Sequence, residues 1–155
     1  MESKPTFEQA QLHLRVYEER REERLRKARD WFSQNYWPES FEESMKLTGP
    51  GTEGGTNFMM VVSYWEQTCA LLNYGLLHED LFFETSGEFW GVFERVRPGL
   101  QQGRDMFKNP QFLAHMEKAA KRFEEWSEKR SPGQLATMRQ FMSQMQKQRS
   151  KQATA

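Results

Sequence analysis

Residues 58–77 have the sequence FMMVVSYWEQTCALLNYGLL, which is apolar on nearly every side of a helix. A helix with this pattern is surrounded by other elements of a fold, whereas a helix at the surface keeps a broad polar face. The polar residues Ser63, Glu66 and Asn73 recur at helical spacing, so they share one narrow stripe. We therefore predict a buried central helix over residues 58–77, with the rest of the chain packed around it.

The same stretch is long enough to cross a bilayer, so its polar residues decide between a membrane span and a core helix. Glu66, Gln67 and Asn73 lie near its middle. A charge at the centre of a membrane helix costs about 2.5 to 3.5 kcal/mol. We therefore predict a core helix and no transmembrane segment.

The composition is that of one soluble domain. The chain has 155 residues, and a domain of this length buries about two thirds of the surface that its unfolded chain exposes. A single cysteine, Cys69, excludes an internal disulfide and suits a reducing compartment, so we expect a cytoplasmic protein. The sequence predicts one domain over residues 1–155.

Charge gives no argument for nucleic acid as a partner. The chain carries 22 basic and 22 acidic residues, so its net charge is zero. Basic residues are frequent in the C-terminal third, but Glu117, Glu124, Glu125 and Glu128 interrupt any continuous track that could follow a phosphate backbone. Residues 38–94 are acidic, and we interpret the acidic and basic parts as attracting each other within one fold.

Capping signals and helical periodicity divide the chain into helices, and no strand pattern occurs. Thr6 and Gln9 form a capping box, and residues 7–36 contain neither Gly nor Pro, which predicts one long N-terminal helix. Two Pro-containing start signals, at residues 109–110 and 131–132, predict the last two helices. The fold class predicted is all-α, a single-domain bundle of about six helices.

The loops and termini are expected to be mobile. Residues 48–57 include five glycines or prolines, so we predict a flexible loop there. The terminal residues 1–5 and 149–155 are expected to fray.

The sequence lacks the residue patterns of common catalytic and metal sites. Residues 49–56, GPGTEGGT, have the glycines of a phosphate-binding loop, but Gly55 stands where that loop needs lysine. The histidines at positions 13, 78 and 115 have no second His or Cys three or four residues away, as helical metal sites require. His78 precedes Glu79 and Asp80 at a helix start, where such residues cap. We therefore predict no catalytic residue, no metal ligand and no cofactor.

Glu66 is expected to be at least partly buried between Trp65 and Cys69. An ionised carboxylate in such a place requires a partner, because an unpaired buried charge costs several kcal/mol, on the order of a small domain's whole stability. We predict an ion pair with Arg104, and Arg97 is the second choice.

Two binding hypotheses from different classes remain open. The first is a non-catalytic interaction or scaffold module that binds a protein partner or a second copy of itself. Its interface would be the heptad-spaced seam of the last helix: Leu135, Met138, Met142 and Met145. The alternative is a small apolar ligand held in a cavity between helices. That cavity would be lined by aromatic side chains: Trp65, Phe89, Trp90 and Phe93.

One series of residues resembles a known family. It consists of Tyr64-Trp65-Glu66, Gly75, Phe89-Trp90, Arg97-Pro98 and Arg104-Asp105. The series is similar to a bacterial all-helical domain family of unknown function and covers about residues 31–126. The resemblance implies an all-α fold and assigns no activity and no catalytic residues. Many members of that family have a membrane helix before the domain, where this chain has a charged helix.

Overall fold

A computed structural model describes residues 3–153 and contains eight helices and no strand among them. The helices are α1 Phe7–Arg20, α2 Glu23–Asn35, α3 Phe41–Leu47, α4 Glu53–Asn73, α5 Glu79–Thr85, α6 Glu88–Met106, α7 Ala114–Arg130 and α8 Gln134–Ala153. The all-α prediction is confirmed, and the number of helices is eight rather than about six. Within this described part, no helix has the length and apolarity that a membrane span requires.

The predicted N-terminal helix is divided into α1 and α2 by Glu22. Its backbone is extended, and its carboxylate accepts hydrogen bonds from the backbone amides of Arg24 at 2.9 Å and Leu25 at 2.8 Å. Glu22 therefore caps a new helix in the middle of the charged segment that was expected to continue α1. The two helices differ in burial: α2 buries Leu25, Ala28 and Phe32, whereas α1 has no buried residue.

The predicted central helix is confirmed as a buried organising element, but α4 ends at Asn73 rather than at residue 77. It packs chiefly against α2 and α7. Seven of its residues are buried: Asn57, Val61, Val62, Trp65, Thr68, Cys69 and Leu72. Beside it, an aromatic cluster of α5, α6 and α7 brings Phe83, Phe89 and Phe123 within 5.3–6.2 Å of each other, measured between ring centroids. The core therefore lies on both sides of α4.

The helix α4 begins at Glu53, so the predicted flexible loop over residues 48–57 is wrong in its second half. The Thr52 side chain caps the helix by accepting a hydrogen bond from the Gly55 amide at 3.0 Å. Gly54 stands where the first turn of α4 meets the end of α3. A Cβ at Gly54 would lie 2.1 Å from the carbonyl oxygen of Leu47. The glycine thus permits a close contact between helices rather than mobility.

The last two helices differ from the predicted bounds, and the helix before them contains a proline. Pro98 lies inside α6, which continues through it to Met106. The start signal at residues 109–110 belongs to a turn, and α7 begins at Ala114. The last helix continues to Ala153, and the fraying expected from residue 149 stays a prediction. The fraying predicted for residues 1, 2, 154 and 155 lies outside the described residues.

Candidate functional site

Glu66 holds the beginning of α7 instead of forming the predicted ion pair with Arg104. Its carboxylate oxygens accept hydrogen bonds from the backbone amides of His115 at 2.9 Å and Met116 at 2.8 Å. The N-cap residue Leu113 provides no side-chain cap and has a left-handed backbone, with φ 57°. A helix N-terminus offers unpaired N–H groups and the positive end of the helix dipole. These satisfy the Glu66 charge without an arginine.

Arg104 binds the same part of the chain from another side. Its Nε donates to the carbonyl oxygen of Phe112 at 2.9 Å, and its guanidinium lies 3.3 Å from the carboxylate of Glu117. Arg97, the second choice, contacts Glu94 and Glu124, each at 2.7 Å. Neither arginine is within ion-pair distance of Glu66 among the described residues, so the predicted ion pair is corrected for both.

The predicted aromatic cavity is filled by its own side chains. Trp65, Phe89, Trp90 and Phe93 are all at least 97% buried. Trp65 packs against Phe89, with ring centroids 6.5 Å apart. The indole of Trp90 donates to Glu124 at 3.0 Å. These four residues form part of the core, and the apolar groove described below lies elsewhere.

The predicted seam of α8 is divided between two faces. Leu135 is buried, and Met142 packs against the core, so these two residues attach α8 to its own chain. Met138 and Met145 remain 45% and 40% exposed. Together with Phe141, which is 59% exposed, they form what we call the outer stripe of α8.

An apolar groove of about 350 Å³ lies between α3, the N-terminal part of α4 and the C-terminal half of α6. Its lining residues are Tyr36, Phe41, Ser44, Met45, Thr48, Pro50, Phe58, Met59, Val96, Gly99, Leu100, Gly103, Phe107, Asn109 and Phe112. The sequence did not predict this site, because its residues come from five separate segments and each fits an ordinary helical or loop pattern. The spacing of Gly99 and Gly103, one helical turn apart, was the only available signal.

Those two glycines shape the groove by letting α3 approach α6. A Cβ at Gly99 would lie 3.4 Å from atoms of Phe41, and one at Gly103 would lie 3.6 Å from the same ring. The Phe41 ring therefore rests against α6 where side chains would otherwise project. Because neither position has a side chain of its own, the space beside the ring remains open.

A single buried polar pair stands among these apolar walls. The hydroxyls of Tyr36 and Ser44 are 2.7 Å apart and hydrogen-bonded. Burial raises the pKa of Tyr36 to about 12, and the hydrogen bond to Ser44 opposes this rise in part. The phenol is therefore neutral at physiological pH, and the groove floor carries no charge.

The rim of the groove exposes large apolar side chains. Phe107 is 63% exposed and Met59 is 47% exposed, and both line the groove. Phe107 stands in the connection between α6 and α7, next to Lys108, whose φ is 53°. Arg104 and Glu66 hold the far end of this connection through residues 112–116. The rim is thus a fixed loop that presents an aromatic ring to solvent.

The described residues contain no group of three or more His, Cys, Asp or Glu that could hold a metal ion. His78 acts as a cap: its Nδ1 accepts a hydrogen bond from the Leu81 amide at 3.3 Å. Its Nε2 lies 2.6 Å from the carbonyl oxygen of Ser3. The interpretation of His78 as a capping residue is confirmed, and the ring nitrogens are both occupied.

The fold and the groove define an all-helical domain with an open apolar groove. A family model described as a domain of unknown function, DUF4760, matches residues 5–123, and the chain belongs to that family. This match confirms the resemblance to an all-helical family of unknown function. Comparisons with curated proteins and with solved structures gave no match.

Proposed function

We propose that the protein is a non-catalytic interaction module whose groove binds the apolar face of a helix from a protein partner. The observation that supports this most directly is the exposed rim beside the groove. A groove that took only a small molecule would need apolar walls, but it would not need Phe107 and Met59 projecting into solvent. A helix seated in the groove would cover both the floor and the rim.

The size and chemistry of the groove suit such an occupant. At about 350 Å³ it is many times larger than the space that one ordered water needs. Its lining is mainly apolar, so the displaced water returns to bulk with a favourable free energy. Backbone hydrogen bonds from the Lys108 and Asn109 amides to the α6 end, together with the contacts of Arg104, order the rim before binding. A fixed surface loses little entropy when a partner docks.

Fluorescence anisotropy tests this proposal with a labelled synthetic amphipathic helix, which has leucine on one face and lysine on the other. Gly103→Leu places a side chain inside the groove, and we expect it to weaken binding at least tenfold. Gly91→Leu is the matched control, because Gly91 lies on the same helix with open space around its Cβ position and outside the groove. Equal affinities of these two variants would contradict the proposal.

A small apolar ligand is the second candidate, because about 350 Å³ falls within the usual range of roughly 300 to 1,000 Å³ for ligand pockets. Decanoate serves as the probe. Phe107→Ser removes part of the rim and leaves the floor intact. We expect this variant to lose affinity for the synthetic helix. If decanoate binds equally to Phe107→Ser and wild type while the synthetic helix binds to neither, the ligand function is the correct one.

A further inference from the structure

The outer stripe of α8 has the spacing of a helix that inserts into a groove. Met138, Phe141 and Met145 follow steps of three and four residues. At about 100° per residue, their direction lies roughly a quarter turn around the helix from that of Leu135 and Met142. One face of α8 is therefore occupied by its own chain, while the outer stripe stays free for a second contact.

Charge makes α8 complementary to the exposed residues that surround the groove on its α3 side, while the lining of the groove itself has no charged residue. The helix carries four basic residues and no acidic residue: Arg139, Lys147, Arg149 and Lys151. Arg139 already pairs with Glu94 and Glu124 of its own chain, so the complementarity depends on the basic residues of the C-terminal half of α8. The segment that includes α3, residues 39–53, carries four acidic residues against Lys46 alone. These four residues are exposed beside the groove and do not line it: Glu39, Glu42, Glu43 and Glu53. Opposite potentials on two surfaces steer their encounter and select against wrong partners.

The two surfaces are neighbours in the fold, yet they do not meet within one chain. Gln146 donates to the carbonyl oxygen of Pro38 at 3.0 Å, which places the C-terminal half of α8 beside the chain that leads into α3. No α8 residue lines the groove. The groove lies within the residues that match the family model, and α8 lies after them.

We propose that the occupant of the groove is α8 of a second copy of this chain, with the outer stripe seated between α3 and α6. This inference rests on the proposed function and names its partner. One helix in one groove is a small contact compared with the roughly 1,200 to 2,000 Å² of a stable interface. A two-fold arrangement doubles it, because each copy supplies one stripe and one groove. The expected assembly is a reciprocal dimer.

Sedimentation velocity and light scattering on the full chain, over a range of concentrations, test the dimer. Wild type is expected to show a monomer–dimer equilibrium that weakens at high salt. Phe141→Ser breaks the outer stripe and Gly103→Leu fills the groove, and each is expected to raise the dimer Kd at least tenfold. Gln144→Ser, an exposed polar residue of the same helix, is the control and should dimerise like wild type.

Mixing the two impaired variants gives the sharpest test. The Gly103→Leu chain keeps an intact stripe, and the Phe141→Ser chain keeps an intact groove, so one contact re-forms between them. We expect a heterodimer at concentrations where each variant alone is a monomer. Circular dichroism melting of each variant checks that both are folded.

The inference is overturned by a wild type that stays monomeric up to its solubility limit, or by a dimer that Phe141→Ser leaves unchanged. It is also overturned if the mixed variants form no heterodimer at any concentration. A monomeric wild type that still binds the synthetic helix, with Gly103→Leu impaired, overturns the dimer alone. If wild type does not bind the synthetic helix, or if Gly103→Leu binds it as well as wild type does, the proposed function itself is contradicted. The failure of the dimer and the failure of the proposed function are therefore distinguishable.

Discussion

Glu66 and Arg104 hold opposite ends of one short turn without pairing with each other. Arg104 Nε donates to the Phe112 carbonyl at 2.9 Å, and the Glu66 carboxylate accepts from the amide of His115 at 2.9 Å. The turn between them contains Leu113 with a left-handed backbone. A non-glycine residue in that conformation costs on the order of 1 kcal/mol, so the turn depends on contacts that hold it. The two side chains provide those contacts.

Replacing Glu66 tests its role as the cap of α7. Glu66→Ala removes two hydrogen bonds to a charged acceptor and leaves two helix amides unpaired, so we expect a loss of about 2 to 3 kcal/mol in the free energy of unfolding. Urea denaturation measures it. Gln67→Ala, at the exposed neighbouring position, should change stability by less than about 0.5 kcal/mol.

Glu66→Gln separates charge from size. The glutamine Oε1 can still accept a hydrogen bond from one of the two α7 amides. Its Nε2 carries hydrogens, so it cannot accept from the other amide. We expect this variant to lie between wild type and Glu66→Ala. A loss below about 0.5 kcal/mol for Glu66→Ala would contradict the capping role.

The sequence predicted what depends on local periodicity and missed what depends on partners from elsewhere in the chain. The apolar run of α4 identified the central helix because burial on all sides leaves a local pattern. The partner of Glu66 was missed because backbone amides are the same for every residue and leave no signal in a sequence. The break at Glu22 was missed for a related reason, since Glu is not among the residues preferred as N-caps. The groove was missed because its walls are assembled by tertiary packing.

Gly54 and Gly91 both lie in helices, and we expect alanine to have opposite effects at the two positions. At Gly54 a Cβ would lie 2.1 Å from the Leu47 carbonyl oxygen and 2.9 Å from the Trp31 ring, so the helices must move apart. Gly54→Ala should therefore lower the free energy of unfolding by about 2 kcal/mol or more. At Gly91 nothing lies within 4 Å, so Gly91→Ala should stabilise by up to about 1 kcal/mol. Thermal melting measures whether each variant is less stable or more stable than wild type. Similar melting temperatures for the two variants would show that the α3–α4 contact is loose.

Tyr36 gives the stability a dependence on alkaline pH. Burial raises its pKa to about 12 in the folded protein, whereas an unfolded tyrosine titrates near 10. The unfolded chain thus loses its proton first as pH rises. Below about pH 10 the buried neutral phenol makes its full contribution to the free energy of unfolding. Between about pH 10 and 12 that free energy falls by about 2 to 3 kcal/mol.

Tyr36→Phe isolates this effect. The variant leaves the Ser44 hydroxyl without its partner, so at pH 8 it should be less stable than wild type by about 1 kcal/mol. Between about pH 10 and 12 its stability should fall by roughly 2 kcal/mol less than that of wild type. Urea denaturation across this range measures both curves. Parallel curves would show that the Tyr36 phenol is open to solvent.

Cys69 reports on the opening of the core around α4. The thiol is fully buried, and burial raises its pKa well above the usual value, with the nearby Glu66 carboxylate adding to the rise. A buried neutral thiol does not react with a disulfide reagent, because the thiolate is the nucleophile. We expect labelling of the native protein only through unfolding, at a rate proportional to the unfolded fraction.

If Glu66→Ala lowers the free energy of unfolding by about 2 kcal/mol, it should accelerate labelling of Cys69 about 30-fold, since about 1.4 kcal/mol corresponds to a factor of ten. In urea above the unfolding midpoint, wild type and variant should react equally fast. Rapid labelling of the native wild type would mean that reagent reaches Cys69 without unfolding, and that α4 is less enclosed than its packing against α2 and α7 indicates.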